Sequence, residues 1–138
     1  MNSIPVKTIV GGTVRGTVIV SKDPISFLGE IDPTSGVITS KSNVLHGKRI
    51  TNKIFVFPEG RGSTVGSYVI YNLKAHNVAP LAFVVNRAET IIVAGAILAE
   101  IPLFESITGD ITNILHSGDI IEINSSKGLI KVVVPSPN

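Results

Sequence analysis

A chain of 138 residues with 43% apolar and 16% charged residues is long enough for one domain with a hydrophobic core, and too apolar to be disordered. Its net charge of +2, with no block of Lys and Arg, implies neither nucleic acid nor an anionic membrane as a partner. The absence of cysteine excludes disulfides, thiolate nucleophiles and Cys-ligated clusters from this chain itself.

The mean hydropathy of +0.41 is high for a chain without a membrane span. The longest apolar run, Ile91–Ala99, is closed by Glu100 and falls well short of the ~20 residues a membrane helix needs. Such a chain either buries an unusual share of its surface or keeps an apolar patch for a partner. The small size of the domain favours the partner. The start, Met1-Asn2-Ser3-Ile4-Pro5, has no leader pattern, which leads us to expect a cytoplasmic chain.

Taken in order, Val6–Val10 and Thr13–Val20 are rich in β-branched residues and read as strands with a Gly11-Gly12 turn between them. Ser21–Ser42 carries Asp23-Pro24, Asp32-Pro33 and Gly36 and reads as a long loop, a feature that in a compact domain is usually functional. Ile54–Phe57 is a short buried strand and Pro58–Gly62 a turn. From Thr64 the period changes: Val65, Val69, Leu73 and His76 recur at helical spacing, predicting about three turns of helix that end near Asn77. Leu81–Val85 is a buried strand. Thr90–Ala99 fits a buried helix or a strand, and Ala94, Ala96, Leu98 and Ala99 favour helix, stopped at Ile101-Pro102. No element is assigned to 103–109. Asp110–Leu115 is a short helical turn. Asp119–Asn124 and Leu129–Val134 form a closing hairpin over Ser125–Gly128. We find no repeat and no linker, so residues 1–138 are expected to be a single β-rich α+β domain with few helices.

The segment most able to carry chemistry is Pro58-Glu59-Gly60-Arg61-Gly62-Ser63-Thr64-Val65-Gly66-Ser67. A buried strand enters a glycine-flanked turn and leaves as a helix. Unpaired N–H groups and the positive end of the helix dipole meet there, which is an anion-binding arrangement. Arg61 adds a fork for a carboxylate or phosphate. Ser63 and Thr64 place hydroxyls at the same spot, where an alkoxide is stabilised. The plainer reading, Ser63 as a helix cap, stays open. The pattern is neither a Walker motif nor a nucleophile elbow. His46, His76 and His116 lack metal-site spacing, and no metal ligand set is expected in this chain. His46 is a loop histidine, His76 a helix C-terminal cation and His116 a surface residue. Glu30 and Asp32 lie in the long loop, where Asp32 before Pro33 suits a turn. Arg87 and Glu89 follow a strand, as ligand-binding groups do and as surface ion pairs also do.

Four stretches, taken together, resemble one family. They are Gly29-Glu30-Ile31-Asp32-Pro33-Thr34-Ser35-Gly36-Val37-Ile38, Leu45-His46-Gly47, Pro58-Glu59-Gly60-Arg61-Gly62-Ser63-Thr64-Val65-Gly66-Ser67, and Ala94-Gly95-Ala96-Ile97-Leu98-Ala99-Glu100-Ile101-Pro102. In this order they resemble the small subunit of aconitase X over nearly the whole chain. The resemblance implies a swivelling β/β/α domain like the mobile domain of aconitases. It also implies a larger partner subunit that holds a [4Fe–4S] cluster through its own cysteines and polarises the departing hydroxyl. The implied activity is dehydration of a small phosphorylated substrate, (R)-mevalonate 5-phosphate, to trans-anhydromevalonate 5-phosphate, with dehydration of cis-3-hydroxy-L-proline as the alternative. It implies Ser63 as proton acceptor, with Arg61, Gly62, Thr64 and Ser67 as substrate contacts and His46 and Asp32 as further candidates. Arg61 precedes the serine here, whereas aconitases proper place theirs after it, so its role is not copied across. Swivelling β/β/α domains also serve as phosphohistidine carriers, a third reading in which His46 is the active residue and Ser63 only a cap.

Overall fold

The computed structural model describes residues 3–137; Met1, Asn2 and Asn138 lie outside the described residues, and with them the first two positions of the leader reading. The elements are β1 Ser3–Val10, β2 Val14–Val20, α1 Phe27–Glu30, β3 Ile54–Phe57, α2 Gly66–Ala75, β4 Ala82–Val85, α3 Thr90–Ala99, β5 Leu103–Ser106, α4 Ile111–Ile114, β6 Ile120–Asn124 and β7 Leu129–Val134.

The strands close into a barrel in the order β1-β5-β4-β3-β2-β6-β7. One half, β2-β3-β4-β5, is parallel; the other is antiparallel. Parallel strands need crossovers, and α2 and α3 supply those from β3 to β4 and from β4 to β5. The result is β-rich with few short helices, as the sequence leads one to expect. The Gly11-Gly12 turn does join two strands, but these are not neighbours: β1 pairs with β5 and β7, and β2 with β3 and β6. The strand β5 is not anticipated at all, since four residues after a proline carry too little pattern.

Burial explains why β3 and β4 read as continuous apolar runs. Every residue of both is buried, because the parallel strands are covered on two faces. Ile54, Val56, Ala82 and Val84 point into the barrel and join Val18, Phe104, Ile121 and Ile130 in one core. Phe55, Phe57, Phe83 and Val85 point outward into a second core built from α2, α3 and the long loop. That loop is packed rather than loose. Ile25, Phe27, Ile31, Ile38, Leu45 and Ile50 are buried in the outer core, and backbone bridges join Ile25 to Gly60, Ile31 to Ile38 and Val37 to Arg49.

Phe27 anchors the loop. Its ring meets Phe55, Phe57 and Phe83 edge-on, with centroids 6.4, 5.8 and 5.7 Å away, an arrangement favoured by the ring quadrupoles. The short α1 that carries Phe27 is bent, with Leu28 at ψ 114° and Gly29 at φ 94°. It thereby delivers Ser26 and Glu30 to the end of β3.

Candidate functional site

The site forms where β3 ends. Ile25 N–H donates to Glu59 O at 3.0 Å and Arg61 N–H donates to Ile25 O at 3.0 Å, so the long loop extends the sheet by one rung beside the Gly60–Gly62 turn. Gly60 is required by close approach: a Cβ there would lie 2.5 Å from Glu89 Oε1 and 2.6 Å from Ile92. Glu89 is occupied in capping α3, accepting from the N–H groups of Ile91 and Ile92. Gly62 is required by conformation, with φ +96°, and by Ser26 Oγ, which would sit 2.6 Å from its Cβ.

Ser63 follows, exposed to solvent. Its Oγ accepts the Val65 N–H at 3.1 Å, and its carbonyl accepts the Gly66 N–H at 2.9 Å. Ser63 therefore closes the turn that precedes α2, but it is not the helix cap that the plainer reading expected: the N-cap position falls on Val65, which has no side-chain capping bond. The same hydrogen bond stabilises negative charge on Oγ, so turn closure and base chemistry are compatible in this geometry. Among the described residues the N–H groups of Gly62, Ser63 and Thr64 donate to no hydrogen bond. These three free donors belong to the turn ahead of α2; the first N–H groups of the helix itself, expected to be unpaired, are instead spent on Ser63 O, Thr64 O and Val65 O.

Arg61 lies beside them, half-exposed. Its Nη2 is 3.3 Å from Glu30 Oε2, with side-chain exposures of 57% for Arg61 and 19% for Glu30. Glu30 is itself held, its Oε1 accepting the Ser26 N–H at 2.8 Å. The guanidinium is thus oriented by one carboxylate and keeps most of its donors free. A cavity of about 280 Å³ opens next to it, lined by Asp23, Pro24, Glu30, Ser40, Ser42, Asn43 and Arg61. A cavity of about 340 Å³ lies at the other end of α2 and α3, among Lys74, Asn77, Glu100 and Pro102, and takes no part in the turn.

The remaining candidates are dispersed. Thr64 is exposed next to Ser63. Ser67 is buried and its Oγ donates to Thr64 O at 3.0 Å, which ties the first turn of α2 to the loop. Asp32 accepts from Thr34 N–H, Thr34 Oγ1 and Ser35 Oγ, and these bonds hold its carboxyl below the usual aspartate value. It builds its own turn. His46 is exposed on the loop Asn43–Lys48, whose backbone closes through His46 N–H to Asn43 O. His76 ends α2, with Nδ1 2.8 Å from Asn72 O. Arg87 pairs with Glu59 at 3.7 Å rather than with Glu89. Sequence reasoning missed the Ser26–Glu30–Arg61 link, whose Glu30–Arg61 step spans 31 residues. The quoted motif does contain Glu30, but nothing local marks its partner.

No residue set here suits a metal or an iron–sulfur cluster. The chain has no cysteine, and among the described residues no three His, Asp or Glu side chains converge.

A closed mixed barrel with helices on its parallel half, bearing a Gly-Arg-Gly-Ser turn at a helix start, is a β/β/α swivelling domain. Residues 3–132 match the family described as the aconitase X swivel domain, and the chain belongs to that family. It is 49% identical over 126 residues to the phosphomevalonate dehydratase small subunit of Thermococcus sibiricus, covering 91% of this chain and 95% of that one. It is 42% identical over 136 residues to the protein of the same name from Methanosarcina acetivorans, covering 96% and 94%. Among solved structures, aconitase X of Thermococcus kodakaraensis superposes with a TM-score of 0.90 at 42% identity, over 96% of this chain and 99% of that one. A UPF0107 protein solved by NMR gives 0.86 at 37%, with the same coverage.

Proposed function

We propose that this chain is the small subunit of a hydro-lyase that dehydrates (R)-mevalonate 5-phosphate to trans-anhydromevalonate 5-phosphate, with Ser63 as the base. The observation that carries the chemistry is Ser63 Oγ, exposed, hydrogen-bonded by Val65 N–H and set among three free N–H groups. The substrate class follows from the names of relatives that match almost end to end.

Ser63 Oγ takes the proton from the carbon next to the one bearing the hydroxyl. The C–H pair becomes the new double bond, and the hydroxyl departs with its bonding pair. A serine alkoxide is costly in water, and the helix start, the Val65 N–H and Arg61 lower that cost in a site closed to solvent. Arg61 and the N–H groups of Gly62 and Thr64 receive the anionic part of the substrate. Ser67 holds the turn in register, and Asp32 and His46 stand outside the reacting group. The departing hydroxyl needs an electrophile that this chain does not offer. In this reading the larger subunit supplies it and holds any iron–sulfur cluster, and the pair works in the cytoplasm.

The test is an anaerobic assay of this chain with its larger subunit, given mevalonate 5-phosphate and cis-3-hydroxy-L-proline separately, with products followed by NMR. Dehydration of the phosphate supports the assignment. Turnover of hydroxyproline alone overturns the substrate and keeps the base. Replacing Ser63 by Ala should reduce kcat by about 10²–10⁴-fold, the usual contribution of a general base, while leaving the fold intact. Phosphoryl transfer to His46 that ignores this replacement would instead establish a carrier.

A further inference from the structure

We propose that the outward face of the α2–α3 pair, continued by α1, is the surface on which the larger subunit docks. The inference rests on reading this chain as a small subunit. Its starting point is α3, which has no charged residue in ten positions. A helix apolar on all sides belongs in an interior, yet α3 is covered on one side only. Ile92, Gly95, Ala96 and Ala99 are buried, whereas Ile97 and Leu98 are 60% and 50% exposed.

The neighbouring helix extends the same surface. Gly66 approaches Ile91 and Gly95 approaches Ile70, so α2 and α3 run side by side in the same direction. Val65, Tyr68 and Tyr71 are exposed along α2, Tyr68 by 63%. Leu28, on the α1 turn that packs against α2, is 48% exposed. Six of the large exposed apolar residues therefore share one side of the molecule, with two tyrosines among them, the composition of an interface centre.

The occupant follows from what the face adjoins. Val65 lies two residues beyond Ser63, and Leu28 two beyond Ser26, which packs against Gly62. A chain that completes the chemistry at Ser63 must reach the rim of this turn, and there it meets Leu28, Val65 and Tyr68. A second copy on this face would cover it without bringing the electrophile that the departing hydroxyl needs, since this chain has no cysteine to hold a cluster. The helix face runs beside the turn rather than over it.

The test uses the anaerobically purified larger subunit titrated with this chain in sedimentation velocity. Tyr68→Lys and Leu98→Lys should each weaken binding by about tenfold or more, and the double variant should no longer co-sediment. Val134→Lys, on the exposed end of β7, should bind as wild type. Circular dichroism of each isolated variant should be unchanged, since the positions are exposed. Wild-type affinity in the double variant overturns the docking face. So does an isolated wild-type chain that is a dimer, split by the double variant while binding to the larger subunit is unaffected. Absence of any complex between the wild-type chains overturns the small-subunit reading itself. If the wild-type pair binds but turns over neither substrate, and the helix variants still lose binding, the docking face stands and only the activity falls.

Discussion

In the proposed mechanism one hydrogen bond of Ser63 would serve both the turn and the base. The Val65 N–H that Oγ accepts closes the turn, and an alkoxide would accept the same bond more strongly. Glu30 acts one step away, by orienting Arg61. Replacing Glu30 by Ala should free the guanidinium, raising KM for the phosphorylated substrate by about tenfold, or 1.4 kcal/mol, with a smaller effect on kcat; steady-state kinetics separate the two. Arg61→Lys should behave alike, because an ammonium keeps the charge and loses the fork. At this scale the contiguous Gly60–Ser67 stretch was legible, since its members are neighbours in the chain. Ser26 and Glu30 were not, because their link to Gly62 and Arg61 exists only once Phe27 has folded the loop onto β3.

Elements with strong periodicity or complete burial were readable: β3 has the bounds expected, and α2 and α3 lie where spacing and composition put them. Strand order was not readable, since the pairing of β1 with β5 and β7 leaves no local trace. The long loop read as irregular is held by alternating buried residues whose partners are distant. Its anchor gives a prediction. Phe27→Ala should cost about 3–5 kcal/mol, seen in urea unfolding, and should impair turnover beyond the loss of stability because Glu30 loses its place. A second concerns acid. Asp110 caps α4, accepting from Thr112 and from Asn86 at the end of β4, and these bonds lower its carboxyl below the usual value. Asp32 is lowered likewise by Thr34 and Ser35. Folded-state values below the unfolded ones mean that both groups stabilise the fold above about pH 4. That contribution is lost as pH falls through their folded-state values. Urea midpoints measured from pH 7 to pH 2.5 should show a smaller acid loss in Asp110→Asn than in wild type.

For the molecule as a whole, the high hydropathy leads one to expect either unusually complete burial or an apolar surface kept for another chain. The structure accounts for much of it with two cores, one inside the barrel and one beneath the helices; of the large apolar side chains left exposed, Leu28, Val65, Tyr68, Tyr71, Ile97 and Leu98 lie on or beside α1, α2 and α3, and Val44, Ile107 and Val134 lie elsewhere. Without cysteine, the isolated chain should take up no iron–sulfur cluster on anaerobic reconstitution, checked by visible absorption, and should turn over nothing until the larger subunit is added.

Closure of the sheet has a consequence for life outside the complex. In a seven-stranded ring every strand has a neighbour on each side, so no whole strand stands at a sheet edge, the position to which another copy could add itself. A newly made chain this apolar is thereby shielded from polymerising strand upon strand while it waits. Most of the exposed large apolar side chains lie on or beside helices, where backbone groups are already spent and contacts depend on side-chain fit.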